Sequence, residues 1–140
     1  MLEIISTKDL MSSAEFTLDN MKPYYEMYEV DWGLSDVYRA TAELSNFDIL
    51  RQGERIGVLR LSFDNQRCQL RDIQIASEHQ SKGYGRQVIL MVIAITKERK
   101  LQHTELKVFK RSPAYKLYRN MGFQTDKEDD RFYYMSIAVD

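Results

Sequence analysis

The sequence predicts an α/β fold in which helices flank a mixed β-sheet. An apolar strand-like run, Leu70 to Ile75, leads into a glycine-bearing turn, and the helix-like run Val88 to Ile95 leads out of it. A further strand, Thr104 to Phe109, follows, and a right-handed crossover would place it parallel to the first. The strand before the turn is the last of three joined by short polar turns, which is typical of an antiparallel meander.

Length and composition bound the class of protein. The 140 residues are the size of one domain, no repeat or linker divides them, and residues 1–140 are expected to form a single domain. The formal net charge is −1, so no basic excess indicates nucleic acid or a membrane as a partner. No membrane span or secretory signal is visible, and the single cysteine, Cys68, excludes an internal disulfide. A packed or half-exposed thiol in a reducing cytoplasm is the expectation.

The N-terminal part predicts one strand and two helices. Leu2 to Ser6 is a short apolar strand. The spacing of apolar side chains predicts a helix from Leu18, with Pro23 near its first turn, and the residues before it are compatible with helix or irregular structure. Gly33 should end this helix, and Ser35 should cap a second one that runs to about residue 44.

Three tyrosines, Tyr24, Tyr25 and Tyr28, lie close together in the first of these helices. In one interpretation they pack along an amphipathic helix with their hydroxyls at the rim. In the other they form a wall of a pocket for an amine acceptor. Both interpretations stay open at this point.

Strands are predicted at Asn46 to Arg51 and at Arg55 to Phe63, joined by the turn Gln52 to Glu54. Gly57 interrupts the second strand and indicates a β-bulge. A third strand, Cys68 to Ile75, completes the meander.

The C-terminal part predicts two helices and a hairpin. The first helix runs from Gly85 to about Lys100, and the second is capped by Ser112 and ended by Gly122. Strands at 123–125 and 132–139 should form the hairpin, with residues 126–130 as its charged tip.

The segment Gln80-Ser81-Lys82-Gly83-Tyr84-Gly85-Arg86 opens the first of these helices. Backbone N–H groups in the first turn of a helix have no intrahelical acceptor, and the helix dipole adds partial positive charge there. Glycines let the backbone approach a phosphate closely, while Lys82 and Arg86 add cationic donors. The segment therefore predicts a pyrophosphate cradle. A Walker loop does not fit, because Lys82 precedes both glycines, and Val88 stands where a dinucleotide fingerprint needs glycine.

A strand followed by Gln-x-x-Gly-x-Gly resembles the coenzyme A loop of the GNAT superfamily of N-acetyltransferases. One strand later, Ala114 to Phe123 is similar to that family's pattern Ala-x-x-Leu-Tyr-x-x-x-Gly-Phe at every fixed position. The resemblance implies a single-domain GNAT-like fold with helices on both faces, whose two central parallel strands splay apart to admit the acyl-CoA. It also implies acetyl-CoA as co-substrate, no metal, and transfer to an amine.

The resemblance assigns roles to residues of both motifs. The amides of Ser81 to Arg86 would hold the pyrophosphate, and the backbone of Ile73, Gln74 and Ile75 would pair with the pantetheine arm. An N–H of that strand would stabilise the oxyanion. Tyr118 would return a proton to the departing thiolate, unless it is a buried packing residue. Arg111 stands where many relatives have Asn, so it either replaces a pantetheine contact or meets a phosphate.

The residue that deprotonates the acceptor is open. Asp72 lies on the strand before the loop, where such enzymes often carry an acidic residue, but it could equally be the ion-pair partner of Arg71 or Arg60. The alternatives from the N-terminal helices are Glu26, Glu29 and Glu43. The two histidines, His79 and His103, have no metal-ligand spacing.

The sequence therefore predicts an acyltransferase that acetylates a small-molecule or peptide amine, acting as a monomer or a homodimer, with no nucleic acid or membrane as partner. The competing class is a non-catalytic acyl-CoA binder that kept the cradle and lost the base. A nucleotide-phosphate binder is disfavoured, since the Walker and dinucleotide signatures are missing.

Overall fold

A computed structural model describes residues 1–139, and over these residues the chain forms seven β-strands and four α-helices. The strands are β1 (Leu2–Ser6), β2 (Ser45–Arg51), β3 (Glu54–Phe63), β4 (Arg67–Ile75), β5 (His103–Phe109), β6 (Gln124–Glu128) and β7 (Phe132–Ala138). The helices are α1 (Leu10–Met27), α2 (Leu34–Thr41), α3 (Tyr84–Glu98) and α4 (Ala114–Asn120). The sheet order is β1-β2-β3-β4-β5-β7-β6, with antiparallel and parallel pairs, which confirms the predicted α/β class with a mixed sheet.

Within this fold the chain divides into two compact units that interleave along the sequence. The first comprises Met1–Leu61 and Asp72–Gln87, and the second comprises Ser62–Arg71 and the chain from Val88 onward. Strand β4 and helix α3 each contribute residues to both units. The assignment of all 140 residues to one domain stays a prediction.

The first unit contains an antiparallel arrangement of β1, β2 and the main part of β3. The turn between β2 and β3 consists of Gln52 and Gly53, with φ angles of 53° and 80°, which the left-handed positions of a two-residue hairpin require. Ile49 lies opposite Gly57 whereas Leu50 lies opposite Arg55, so β3 carries one extra residue beside Gly57. The predicted bulge is confirmed.

Helix α1 begins earlier than the apolar spacing predicted. It starts at Leu10, because Asp9 caps it by accepting a hydrogen bond from the N–H of Ser12 at 3.0 Å. Pro23 therefore lies inside the helix, and its predicted place near the first turn is wrong. A proline at this position removes one i→i−4 hydrogen bond, and the helix ends a turn later at Met27.

Helix α2 is capped by Gly33, and the predicted cap, Ser35, lies inside the helix. The N–H of Gly33 donates to Asp36 Oδ2 at 2.8 Å, so an acidic residue in the first turn satisfies the cap. The helix ends at Thr41, three residues short of the predicted end. The side-chain amide of Asn46 explains the early end, because it donates to the carbonyls of Thr41 and Leu44.

The second unit contains the parallel pair that the crossover predicted. Residues Arg67–Leu70 of β4 pair with His103–Leu106 of β5, and β7 lies between β5 and β6 in the sheet order. Ser112 Oγ accepts a hydrogen bond from the N–H of Ala114 at 3.2 Å, and Gly122, with φ 105°, follows the end of α4. The capping residue is Pro113, one residue after the predicted Ser112, and α4 ends at Asn120, one residue before the predicted Met121.

The tip of the final hairpin differs from the prediction, because β6 continues through Glu128. Asp129 makes the turn: its Oδ1 accepts hydrogen bonds from the N–H groups of Arg131 and Phe132 at 2.9 and 2.8 Å. Its Oδ2 accepts one from the Tyr134 hydroxyl at 2.6 Å. The predicted tip, residues 126–130, is therefore partly strand.

Each unit has its own buried apolar residues. In the first they are Leu2, Ala14, Val37, Ile49, Ile56, Val58, Leu59 and Leu61. In the second they are Cys68, Leu70, Val88, Ile89, Val92, Leu106, Val108, Tyr118, Phe123, Met135 and Val139. Among residues 1–139, no helix is long and apolar enough to cross a membrane.

Candidate active site

The predicted cradle is the chain entering α3. Ser81 and Gly83 both have left-handed backbones, with φ angles of 62° and 82°, and α3 begins at Tyr84. Around this turn, Gln80, Ser81, Lys82, Gly83 and Arg86 are exposed. A Cβ added at Gly83 would meet no heavy atom within 4 Å, so open space lies on that side of the turn. A helix N-terminus with adjacent cations and open space can bind an anion.

Three contacts hold this turn in place. The amide of Gln80 donates to the carbonyl of Ile75 at 2.9 Å, which ties the turn back to the end of β4. The ring centroid of Tyr84 lies 6.5 Å from that of His79. The guanidinium of Arg51 lies over the Tyr84 ring, 5.8 Å from its centroid, which is within cation–π distance. The Tyr84 side chain thus packs against His79 and Arg51. Gly85 is the second residue of α3.

The segment predicted to meet the pantetheine arm is the end of β4. Gln74 is 8% exposed, and Ile73 and Ile75 are half-buried. A Cβ at Gly57 would lie 2.3 Å from the carbonyl oxygen of Gln74, so only glycine allows β3 this close to β4. The N–H of Ala76 donates to the carbonyl of Ile56 at 2.8 Å, and β3 therefore fixes the end of this segment.

Asp72 is the ion-pair partner of Arg60. Its Oδ2 accepts a hydrogen bond from Arg60 Nη1 at 2.6 Å, and its Oδ1 accepts one from Gln74 Nε2 at 2.7 Å. The other candidate partner, Arg71, instead reaches Ser62 Oγ at 3.5 Å. The side chain of Asp72 is 20% exposed, whereas that of Arg60 is 0% exposed.

Arg60 is a residue whose importance the sequence interpretation missed. Its guanidinium donates to four side-chain oxygens, which belong to Ser13 (2.8 Å), Thr17 (2.5 Å), Asn46 (2.7 Å) and Asp72 (2.6 Å). The available signal was a single charged residue inside the apolar run Ile56 to Leu61. An arginine at such a position must be paired or hydrogen-bonded if the strand is buried on both faces.

Tyr25 lies close enough to Arg60 and Asp72 for their charges to affect the pKa of its hydroxyl. Burial raises the pKa of the Tyr25 hydroxyl, and the negative charge of Asp72 raises it further, while Arg60 opposes both. The Tyr25 ring also contacts Trp32, with centroids 6.1 Å apart. Tyr25, a member of the tyrosine cluster, is thus within electrostatic reach of Asp72.

The other carboxylates considered as bases are exposed. Glu26 lies in the last turn of α1, Glu29 follows that helix with a left-handed φ of 55°, and Glu43 follows α2. Their assignment as alternative bases stays a prediction.

In the second unit, Tyr118 is a buried side chain of α4, with 5% exposure. Its ring is tilted against that of Phe123 at 5.9 Å, and its carbonyl accepts the N–H of Phe123 at 3.1 Å. The motif Ala114 to Phe123 thus forms a helix whose end is folded back on Tyr118. Arg111 precedes this helix and is exposed.

The cysteine and the two histidines lie outside the predicted site. Cys68 is fully buried, and burial raises the pKa of its thiol, with a hydrogen bond from Thr96 opposing. His103 begins β5, and His79 belongs to a 3₁₀ turn before the cradle. Among the described residues, no group of three or more His, Cys, Asp or Glu side chains is arranged to hold a metal ion.

Comparison with known proteins identifies the family. Residues 6–123 match the sequence profile of the acetyltransferase (GNAT) family. The chain therefore belongs to this family of acetyltransferases. No curated protein matches the sequence significantly.

Solved structures share the fold at low identity. PaiA N-acetyltransferase from Thermoplasma acidophilum, solved with coenzyme A, is 14% identical, with a TM-score of 0.75 and 99% of each chain covered. A GNAT acetyltransferase from Elizabethkingia anophelis, solved with acetyl-CoA, is 15% identical, with a TM-score of 0.74 and coverage of 99% and 98%. The ribosomal-protein-S18-alanine N-acetyltransferase from Escherichia coli is 18% identical, with a TM-score of 0.74 and coverage of 99% and 94%. At these identities the likeness establishes the fold alone.

Proposed function

We propose that this protein transfers an acetyl group from acetyl-CoA to a primary amine, carried by a small molecule or a peptide. The observation that carries the proposal is the turn into α3. Ser81 and Gly83 have left-handed backbones there, and the space beside Gly83, just before the helix N-terminus, is open. It supports the proposal because the same chain matches an acetyltransferase family over most of its length. Acetyl-CoA serves as co-substrate, and the chemistry uses no metal.

The donor is held at its pyrophosphate and along its pantetheine arm. The backbone N–H groups of Ser81 to Arg86 bind the pyrophosphate, and Lys82 and Arg86 supply opposite charge. Arg111, an exposed cation before α4, meets a further phosphate oxygen. The backbone from Ile73 through Gln74 to Ile75 pairs with the pantetheine arm, as an added strand pairs with a sheet edge.

The reaction is a direct acyl transfer. The free amine nitrogen attacks the thioester carbonyl carbon, a C–N bond forms, and the carbonyl electron pair moves to oxygen. A backbone N–H of the 73–75 segment stabilises that oxyanion. The oxyanion's electron pair then re-forms the C=O bond while the C–S bond breaks with its pair on sulfur, and Tyr118 gives its hydroxyl proton to the thiolate. The proton lost by the amine goes to the base, and solvent restores the proton to Tyr118.

Asp72 is the proposed base, acting directly or through a water molecule. Each of its oxygens accepts one hydrogen bond, from Arg60 and from Gln74, and a carboxylate oxygen has a second lone pair. Its remaining exposure allows a water or an amine to reach that lone pair. The engagement of both oxygens also supports the alternative function, a non-catalytic acyl-CoA binder in which Asp72 only neutralises Arg60.

The test is a panel of amines incubated with acetyl-CoA. Thiol release is followed continuously, and mass spectrometry identifies the acetylated amine. Turnover with any amine supports the enzyme, whereas tight CoA binding with no turnover across small amines, polyamines and peptides supports the binder. Competition of ATP or NAD against CoA tests the third class, since a general nucleotide-phosphate binder would accept all three.

A further inference from the structure

Arg60 is a charged side chain at the most buried part of β3. Its exposure is 0%, and its chain neighbours Leu59 and Leu61 are also fully buried. Removing a guanidinium from water carries a desolvation penalty of several kcal/mol, which only close partners offset. The partners are present, and they lie on α1, β2 and β4.

A second chain of hydrogen bonds reaches the same carboxylate from the other side. Asn20 of α1 donates to Gln74 Oε1 at 2.6 Å, and Gln74 Nε2 donates to Asp72 Oδ1 at 2.7 Å. Asp72 therefore accepts one hydrogen bond on each oxygen, from Arg60 on one side and from the Asn20–Gln74 chain on the other. Helix α1 is tied to β4 twice, once through Gln74 and once through the guanidinium, which also bonds Ser13 of that helix.

Stability alone does not require this arrangement. Well-packed apolar side chains of the same volume often match or exceed a buried ion pair in stability, because they carry no desolvation penalty. A cluster of directional bonds does set distances and angles, which apolar packing leaves less defined. Two members of the cluster belong to the proposed site: Asp72 is the proposed base, and Gln74 lies in the segment 73–75 that the proposed function assigns to the pantetheine arm.

We infer that Arg60 is a positioning residue for acyl transfer. From the core of the first unit it holds the segment Asp72–Ile75 in the geometry that meets the acyl-pantetheine arm, and it orients the Asp72 carboxylate. This inference rests on the proposed function, because it assigns the segment the same role. Arg60 itself acts only through Asp72 and the backbone beside it.

The test compares two ligands and uses Arg60→Lys. Lysine keeps the charge but donates from one nitrogen, so it cannot reproduce the bonds that Arg60 makes from Nε, Nη1 and Nη2. Acetyl-CoA affinity should fall about 10-fold, roughly the effect of one misaligned charged hydrogen bond. Adenosine 3′,5′-bisphosphate, which lacks the pantetheine arm, should bind with unchanged affinity. Calorimetry measures both, and circular dichroism checks the fold.

Arg55→Lys is the matched control. Arg55 lies on the same strand and also reaches α1 and β2, donating to Ser12 Oγ at 3.2 Å and pairing with Asp48 at 4.0 Å. Both affinities should stay at the parent values. Gln74→Met is the second variant, for the case in which Arg60→Lys does not fold. It breaks the link from Asn20 to Asp72 without changing charge, and it should weaken acetyl-CoA selectively.

The outcomes separate the two proposals. Parent affinity for acetyl-CoA in folded Arg60→Lys and in Gln74→Met overturns the inference, and so does an equal loss for both ligands. A parent protein that binds acetyl-CoA but acetylates no amine overturns the enzyme proposal, while the ratio of the two affinities still decides the role of Arg60. A parent protein that does not bind acetyl-CoA overturns both.

Discussion

Gly53 and Gly83 have nearly the same backbone conformation, with φ angles of 80° and 82°, and a Cβ at either would meet no heavy atom within 4 Å. Both are exposed. Gly53 lies in the turn between β2 and β3, whereas Gly83 lies in the turn into α3. The two positions therefore share their backbone strain and differ in their assigned role, which makes them a matched pair for testing the cradle.

Gly83→Ala and Gly53→Ala should each lower the free energy of unfolding by about 1–2 kcal/mol, because a Cβ disfavours the left-handed backbone. Only Gly83→Ala should weaken CoA, by roughly 10-fold or more, since it shifts amides that bind a charged group. Urea unfolding and calorimetry measure the two effects. If Gly83→Ala bound CoA as tightly as Gly53→Ala does, the turn into α3 would not belong to the donor site.

Tyr118→Phe keeps the buried ring and removes the hydroxyl. If Tyr118 protonates the thiolate, kcat should fall by roughly 10²-fold, while CoA affinity stays close to the parent value. Tyr115→Phe on the same helix is the control, because the Tyr115 ring stacks on Tyr133 with centroids 4.2 Å apart. A Tyr118→Phe protein with lower stability, weaker CoA binding and a nearly normal kcat would instead assign Tyr118 to packing.

Asp72→Asn tests the base through the pH dependence of kcat/KM for the acceptor. An aliphatic amine titrates near pH 10, so the free amine is scarce at neutral pH and the base matters most there. The rate at pH 7 should fall by about 10²-fold, and the difference from the parent should narrow as pH rises. Since Asp72 also pairs with buried Arg60, the variant is compared at a temperature where both proteins are folded. A parallel pH profile with an undiminished rate would exclude Asp72 as base.

The stability of the final hairpin should depend on pH through Asp129. Its hydrogen bond from Tyr134, then those from two backbone N–H groups, lower the pKa of this carboxyl to about 2. Because the folded-state pKa is depressed, the stabilisation is fully present above the unfolded pKa of about 4 and is lost as pH falls towards 2. Asp129→Ala should lower Tm at pH 7, and the Tm difference should shrink between pH 4 and pH 2. In Asp129→Asn the side-chain oxygen remains as a neutral acceptor, so Tm should fall less than in Asp129→Ala and the difference should depend little on pH.

Cys68 should resist alkylation in the native state. Burial raises the pKa of its thiol, and the side chain has no exposure, so little accessible thiolate forms. Iodoacetamide at pH 8 should modify it only at the rate of unfolding, and fully in urea. Because the folded pKa is raised, the contribution of Cys68 to stability is present below the unfolded pKa and decreases as pH rises above about 9. Rapid modification of the folded protein would contradict its buried position.

Local residues were sufficient to predict the elements that carry the two motifs. Gly83 precedes α3 and Gly122 follows α4, both with left-handed backbones, and Ser112 Oγ accepts a hydrogen bond from the N–H of Ala114. Such features depend on neighbours within a few residues, so the strand–turn–helix unit and the helix Ala114–Asn120 can be predicted from the sequence alone.

The tertiary structure decided the boundaries of α1 and α2 and the partner of Asp72. Pro23 marked a helix start by local rules, yet α1 begins at Leu10. The Asp9 cap, three residues from Ser12, was a local signal that the sequence interpretation missed, whereas the burial of Ser13 and Ala14 depends on the packing of α1. Arg60 and its partner Asp72 are twelve residues apart, and its hydrogen bond to Ser13 spans forty-seven. No local pattern encodes such a meeting, because desolvation and pairing of a charge depend on which elements pack around it.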